Sequence, residues 1–85
     1  MLRVKLREAM EDLQRRSGER VTYEHLARLT GLSRATLESI ASRDNYNTRL
    51  STIEKLCRAL GRDPGDLLEL VHDEEPESIA RREKS

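Results

Sequence analysis

The side chains best suited to hydrogen-bonding chemistry share one short segment, residues 33–42. On a helix, its outward-facing side chains are Arg34, Ala35, Thr36, Glu38, Ser39 and Ser42. An arginine can donate two parallel hydrogen bonds to O6 and N7 of guanine, a glutamate can accept one from N4 of cytosine, and an alanine can contact the methyl group of thymine. The segment therefore predicts recognition of base edges.

The two charged residues of this segment can also be interpreted as a surface ion pair with no role in binding. Arg34 and Glu38 lie four residues apart and can form an ordinary surface ion pair, worth about 0.3 kcal/mol. Glu38 can also repel phosphate and do no more than orient Arg34. We favour base reading for Arg34, and both roles of Glu38 stay open.

Catalysis and metal binding have no comparable basis in the sequence. His25, His72 and the single cysteine, Cys57, lie far apart along the chain, and no nucleophile–base constellation or phosphate-binding loop is present. Cys57 falls on the apolar stripe of a helix and is expected to be a small core residue. The sequence therefore predicts no enzymatic activity, no metal site and no cofactor.

Two short helices, joined through a tight turn, position the segment. Thr22 and Ser33 are each suited to cap a helix start, and Gly31 is suited to end the helix between them. The resulting three-residue turn, residues 31–33, is typical of a helix-turn-helix. At both helix starts the free N–H groups can point toward phosphates, which makes Thr22 and Ser33 candidate DNA-backbone contacts.

Three further helices are expected around this pair. A first helix over about residues 3–16 follows from the spacing of Leu6, Ala9, Met10 and Leu13. The alternating Leu2 and Val4 also allow a short extended start. A capping box over residues 51–54 opens a fourth helix, and Asp63 with Pro64 opens a fifth that reaches Val71. We expect an all-α, compact five-helix domain over residues 1–71 and a charged, mobile tail over 72–85.

The charge balance agrees with a nucleic-acid partner once the chain is divided. The 85 residues allow one small domain and carry a formal net charge of +0. Residues 1–62 hold thirteen basic and eight acidic side chains, a balance of +5, and residues 63–85 carry −5. With two tyrosines and no Phe or Trp, the chain lacks a platform for stacking single strands, so duplex DNA is the expected partner. No apolar run reaches ~18 residues, which predicts no membrane span and a cytoplasmic location.

Two groups of residues carry a resemblance to a known family. They are Leu26-Ala27, Thr30-Gly31-Leu32-Ser33, Thr36-Leu37 and Ile40, followed by Leu50-Ser51-Thr52-Ile53, Leu56-Cys57, Ala59-Leu60-Gly61 and Pro64-Gly65-Asp66-Leu67-Leu68. With this spacing, residues 2–71 resemble the phage-repressor/Cro-like (Xre-type) family, whose members are mostly prokaryotic and phage transcription regulators. The resemblance implies a lambda-repressor-like fold with its helix-turn-helix at the second and third helices.

The resemblance also assigns site residues. It implies that four side chains of the third helix read bases, namely Arg34, Ala35, Glu38 and Ser39. It implies that Tyr23 touches the DNA backbone and supports the recognition helix, although a half-buried ring on the helix surface is an equal alternative. The passage Ala41–Arg49 is longer than the short acidic-x-glycine turn of many members. Its candidate backbone contacts are Arg43, Asn45, Tyr46 and Asn47.

These observations predict a sequence-specific double-stranded DNA-binding transcription regulator, acting as a repressor, that reads the major groove with helix 33–42. A symmetric homodimer is expected because one recognition helix spans only a few base pairs. Candidate dimer residues are the apolar Leu2, Val4, Leu68 and Leu70. The alternative is an antitoxin-type module of a toxin–antitoxin pair, which engages a protein partner through the acidic residues 73–77 and binds DNA for autoregulation.

Overall fold

Helices make up most of the chain, as the hydrophobic spacing predicted. The computed structural model describes residues 1–43 and 47–72. In these residues the helices are α1 (Leu6–Ser17), α2 (Tyr23–Thr30), α3 (Arg34–Ser42), α4 (Leu50–Leu60) and α5 (Pro64–Leu67), and the strands are β1 (Leu2–Val4) and β2 (Leu68–Leu70). The five helices follow one another in the predicted order.

The starts of α2 and α3 are capped by the side chains that the sequence indicated. Thr22 Oγ1 accepts a hydrogen bond from the His25 backbone N–H at 3.1 Å, and Ser33 Oγ accepts one from the Thr36 N–H at 3.1 Å. α2 ends at Gly31, whose N–H donates to the Ala27 carbonyl at 2.8 Å. These local bonds determine where each helix starts and stops, and so they set the length of the turn between them.

A Gly31→Ala substitution should lower the free energy of unfolding by about 1 kcal/mol. Gly31 has a φ of 76°, in the left-handed region where a Cβ is strained even though no atom lies within 4 Å of the added group. Gly65→Ala is the matched control, because Gly65 has equally open surroundings but no positive φ. Urea denaturation followed by circular dichroism measures both variants. Equal losses would contradict a cost that arises from the backbone conformation.

A small sheet corrects the all-α prediction. β1 and β2 pair antiparallel, with Leu2 opposite Leu70, Arg3 opposite Glu69 and Val4 opposite Leu68. α1 therefore begins at Leu6 rather than near residue 3, and the fifth helix is one turn long instead of extending through residue 71. The cause is the alternation of apolar and polar residues in both terminal segments, which suits paired strands better than helices. The Arg3 guanidinium lies 3.0 Å from Glu69 and adds a cross-strand ion pair.

The start of α4 also differs from the prediction. The capping box expected over residues 51–54 is not used, because α4 begins two residues earlier than the box predicts, at Leu50 rather than Thr52, with Arg49 at the cap position. The Arg49 carbonyl accepts hydrogen bonds from the Thr52 and Ile53 N–H groups at 3.0 and 3.2 Å. Ser51 thus lies inside the first turn, where its side chain does not cap the helix.

The core draws on every helix. Its fully buried side chains are Leu6, Leu26, Leu37, Ile40, Leu56, Leu60 and Leu67. Cys57 is buried beside them, as the stripe on α4 predicted. At the far end of α4, Arg62 donates a hydrogen bond to Asp12 and so ties α4 to α1. None of the helices within residues 1–43 and 47–72 is long and apolar enough to cross a membrane.

Candidate nucleic-acid interface

α2 and α3 pack against each other across the turn of residues 31–33, and buried side chains fix their relative position. Leu26 of α2 and Leu37 and Ile40 of α3 are each no more than 1% exposed. The side of α3 opposite to Leu37 and Ile40 is consequently turned toward solvent. This exposed side is where a ligand can reach α3.

Thr30 closes the turn and was missed by the sequence reasoning. It is the last residue of α2 and is 7% exposed. Its Oγ1 donates to the Leu26 carbonyl at 2.8 Å and accepts from the Leu32 N–H at 3.2 Å, so the buried hydroxyl is satisfied on both sides. A threonine directly before a helix-ending glycine, on the side of the apolar stripe, was the available signal.

The structure brings the predicted residues of α3 together on its outer side. Arg34, Ala35, Glu38 and Ser42 are exposed, and Thr36 and Ser39 are half-buried along one edge. The side chain of Ala35 is a methyl group, which suits apolar contact with the methyl group of thymine. The set is continuous along the helix from its first residue to its last.

Hydrogen bonds within the protein decide which hydroxyl groups still have a proton to donate. Ser33 Oγ donates to Thr36 Oγ1 at 2.8 Å, and Ser42 Oγ donates to the Glu38 carbonyl at 2.7 Å. A phosphate oxygen needs a donor. Thr36 keeps its hydroxyl proton and is better placed to donate to phosphate than Ser33, whose oxygen serves as the cap.

Arg34 is held by two carboxylates on different helices. Its Nε lies 3.1 Å from Glu38 Oε1, which is the four-residue pair that the sequence allowed. Its Nη1 lies 3.2 Å from Glu24 Oε1, and Glu24 belongs to the first turn of α2. The second contact was not foreseen, because it depends on how α2 packs against α3 rather than on spacing within a helix.

Tyr23 opens α2 and lines a cleft between α1 and the α2–α3 pair. Its ring is half-buried and packs against the core, and a contact of its hydroxyl group with the DNA backbone stays a prediction. Thr22, also half-buried, lines the same cleft as Arg34. Two further arginines, Arg7 and Arg20, join them there, although the sequence had not singled them out. Their position next to Arg34 was not readable from the chain, because α1 contributes one of them.

The candidate contacts after α3 are described only in part. Arg43 and Asn47 are exposed on either side of residues 44–46. Asn45 and Tyr46, which were proposed to touch the DNA backbone, lie outside the described residues. The same is true of the acidic residues 73–77, on which the protein-partner alternative depended, and of the rest of the tail.

Cys57 has the environment of a core residue. Burial raises the pKa of its thiol, and the negative charge of Asp63 raises it further. A raised pKa keeps the thiol protonated at neutral pH and makes it a poor nucleophile. In the part of the chain that the structure describes, no three His, Cys, Asp or Glu side chains are grouped so that they could hold a metal ion.

Comparison with known proteins agrees with the resemblance seen in the sequence. A family model described as the Cro/C1-type HTH DNA-binding domain matches residues 5–73, which includes every helix from α1 to α5. No curated protein and no solved structure matches the chain. The family match covers most of the chain and brings DNA-binding transcription regulation with it. The chain belongs to the family of Cro/C1-type HTH DNA-binding domains.

Proposed function

We propose that this chain is a sequence-specific regulator of transcription that binds double-stranded DNA, places α3 in the major groove and acts as a repressor. The proposal rests on the position of Arg34. This residue is exposed in the first turn of α3, a capped helix whose opposite side is buried. In a helix-turn-helix, the first residues of the second helix meet base edges. In this arrangement, residues 1–71 form the DNA-binding domain and residues 72–85 form a charged tail.

Base and phosphate contacts divide between different side chains in this proposal. Arg34 and Ala35 contact bases, and Ser39 reaches them from the edge of the helix. Phosphate contacts come from Thr36 and Arg43, from Thr22 and Tyr23 at the start of α2, and from Asn47 before α4. Contacts to bases select a sequence, while contacts to phosphates fix the position of the protein on the duplex.

Selection from a pool of random duplexes tests the proposal. The full chain should enrich a defined motif, and its affinity for that motif should fall with rising salt concentration because phosphate contacts release counterions. The selected motif, placed across a promoter in a reporter strain, should lower transcription when the protein is produced. Enrichment of no motif would refute sequence-specific binding, and unchanged or raised transcription would refute repression.

The proposal includes a homodimer formed through the sheet side of the domain. Leu2 and Leu70 are opposite each other in the sheet and are 55% and 56% exposed, while Leu50 at the start of α4 is 84% exposed. Leu2 and Leu50 line one cleft. Val4 and Leu68, which were also candidates, are half-buried: they pack against the core and line the same cleft. A second copy of the chain would cover the three exposed leucines and supply the second recognition helix.

A Leu50→Glu substitution should weaken this dimer by about tenfold or more, because a buried carboxylate without a partner opposes association. Sedimentation of the full chain over a range of concentrations measures the effect. Leu29→Glu is the matched control, since Leu29 is 59% exposed on α2, away from this cleft. Equal sedimentation of wild type and Leu50→Glu would contradict the assigned surface.

A further inference from the structure

The two carboxylates that hold Arg34 leave donors free on both of its terminal nitrogens. A guanidinium group has five N–H donors. The contacts to Glu38 and Glu24 use the Nε donor and one donor of Nη1. Two donors of Nη2 and one of Nη1 remain, so both terminal nitrogens, which form the terminal edge of the group, keep at least one donor. That edge is the one that can donate two parallel bonds to O6 and N7 of guanine.

The two carboxylates restrict the Arg34 side chain more than a single carboxylate would. Glu38 lies one turn along the same helix, so it alone would let the guanidinium plane rotate. Glu24 lies on α2, and its contact joins Arg34 to the other helix of the pair. A long side chain that is already held in its bound orientation loses less conformational entropy on binding. The packing of α2 on α3 therefore also fixes the direction in which the Arg34 side chain points.

The charges of the trio also favour bases over phosphates. Arg34, Glu24 and Glu38 together carry one positive and two negative charges. A group with a net negative charge does not attract the DNA backbone on its own, so the trio as a whole contributes little to binding of random sequences. The three side chains are 58%, 74% and 50% exposed, which leaves them accessible to a duplex.

From these contacts we infer that Glu24 is a specificity-determining residue: a positioning residue on α2 that aims the terminal edge of Arg34 at a guanine. The inference rests on the proposed function, because it assumes that α3 enters the major groove. It adds a role that no side chain of α3 can supply, since the second anchor has to come from a different helix.

The test compares discrimination rather than affinity. Discrimination is the ratio of affinities for the selected duplex and for the same duplex with the guanine read by Arg34 replaced. A Glu24→Gln substitution should lower this ratio by about threefold, a size typical of one exposed ion pair. It should also raise affinity for both duplexes, because a negative charge is removed. In an Arg34→Ala background, the same substitution should leave the ratio unchanged.

A matched control comes from α4. Glu54 and Arg58 form a four-residue pair with a 3.1 Å contact, also exposed, in a helix that does not take part in the turn. Glu54→Gln removes the same charge and the same type of pair, and it should leave the ratio unchanged. An NMR spectrum of the arginine Nε–H groups without DNA checks the anchoring directly. The Arg34 signal should shift in Glu24→Gln and stay in place in Glu54→Gln.

The outcomes separate the inference from the proposed function. If the wild type discriminates but Glu24→Gln does not change the ratio, or raises it, the positioning role is refuted. An equal change in the Arg34→Ala background would refute it as well, since the effect would then bypass Arg34. If the wild type itself selects no sequence, the proposed function fails and the inference fails with it. The NMR shift would then show whether the anchoring alone exists.

Discussion

An Arg34→Ala variant is expected to lose discrimination at one base pair, and to show a smaller, uniform loss of affinity for random duplex DNA because one positive charge is removed. A bidentate contact from arginine to guanine supplies about 1–3 kcal/mol of discrimination, roughly 5- to 150-fold. The substitution removes that contact but retains the helix, because Arg34 is exposed and its neighbour Ser33 still caps α3. Competition binding with single base-pair variants of the selected motif measures the loss position by position.

Arg43→Ala provides the contrasting control for this experiment. Arg43 is exposed at the end of α3 and is proposed to contact phosphate. Its removal should weaken binding to all duplexes alike and make the logarithmic salt dependence of affinity less steep by ~0.9. Uniform weakening by Arg34→Ala with unchanged discrimination would contradict the placement of α3, because Arg34 would then be acting as a phosphate contact only.

A Leu37→Ala variant should lose about 2–5 kcal/mol of the free energy of unfolding. Leu37 is 0% exposed and forms the inner side of α3, so the substitution leaves a cavity beneath the residues that we propose to read bases. A small domain has only about 5–10 kcal/mol of stability in total. A large part of the stability should therefore be lost, and with it the fixed direction of Arg34. Urea denaturation of the full chain measures the change.

Leu29→Ala is the same substitution on the exposed side of α2. Leu29 is 59% exposed, and its truncation should change the free energy of unfolding by less than about 0.5 kcal/mol. A comparable loss in both variants would mean that the buried side of α3 does not support the fold as described. DNA binding by Leu37→Ala, measured where the variant is still folded, should show weaker discrimination than in the wild type.

The features that were predicted correctly are those encoded within a few residues. The caps at Thr22 and Ser33 and the end of α2 at Gly31 each depend on a side chain or backbone conformation next to the helix end. The buried stripes of α1, α3 and α4 repeat at helical spacing. Such signals can be read along the chain because the interacting atoms are close in sequence.

The features that were missed depend on partners far away in sequence. Leu68-Glu69-Leu70 looks like the end of a helix until Leu2 and Val4 are available as a paired strand. Glu24 meets Arg34 across ten positions, on a neighbouring helix whose packing angle has no local signature. The start of α4 shows a third cause. The capping box at residues 51–54 is unused because the helix extends beyond it to Leu50, where the Arg49 carbonyl accepts the first intrahelical hydrogen bonds.

The pairing of β1 with β2 has a consequence for the order in which the chain folds. The contact between Arg3 and Glu69 spans 66 residues, whereas α2 and α3 need only a turn of three residues to meet. Closing a long loop costs more entropy than closing a short one, and the cost is recovered only when the intervening chain is already ordered. Contacts between α2 and α3 are therefore expected to form early in folding, while the terminal strands pair last and bring the two ends of the domain together.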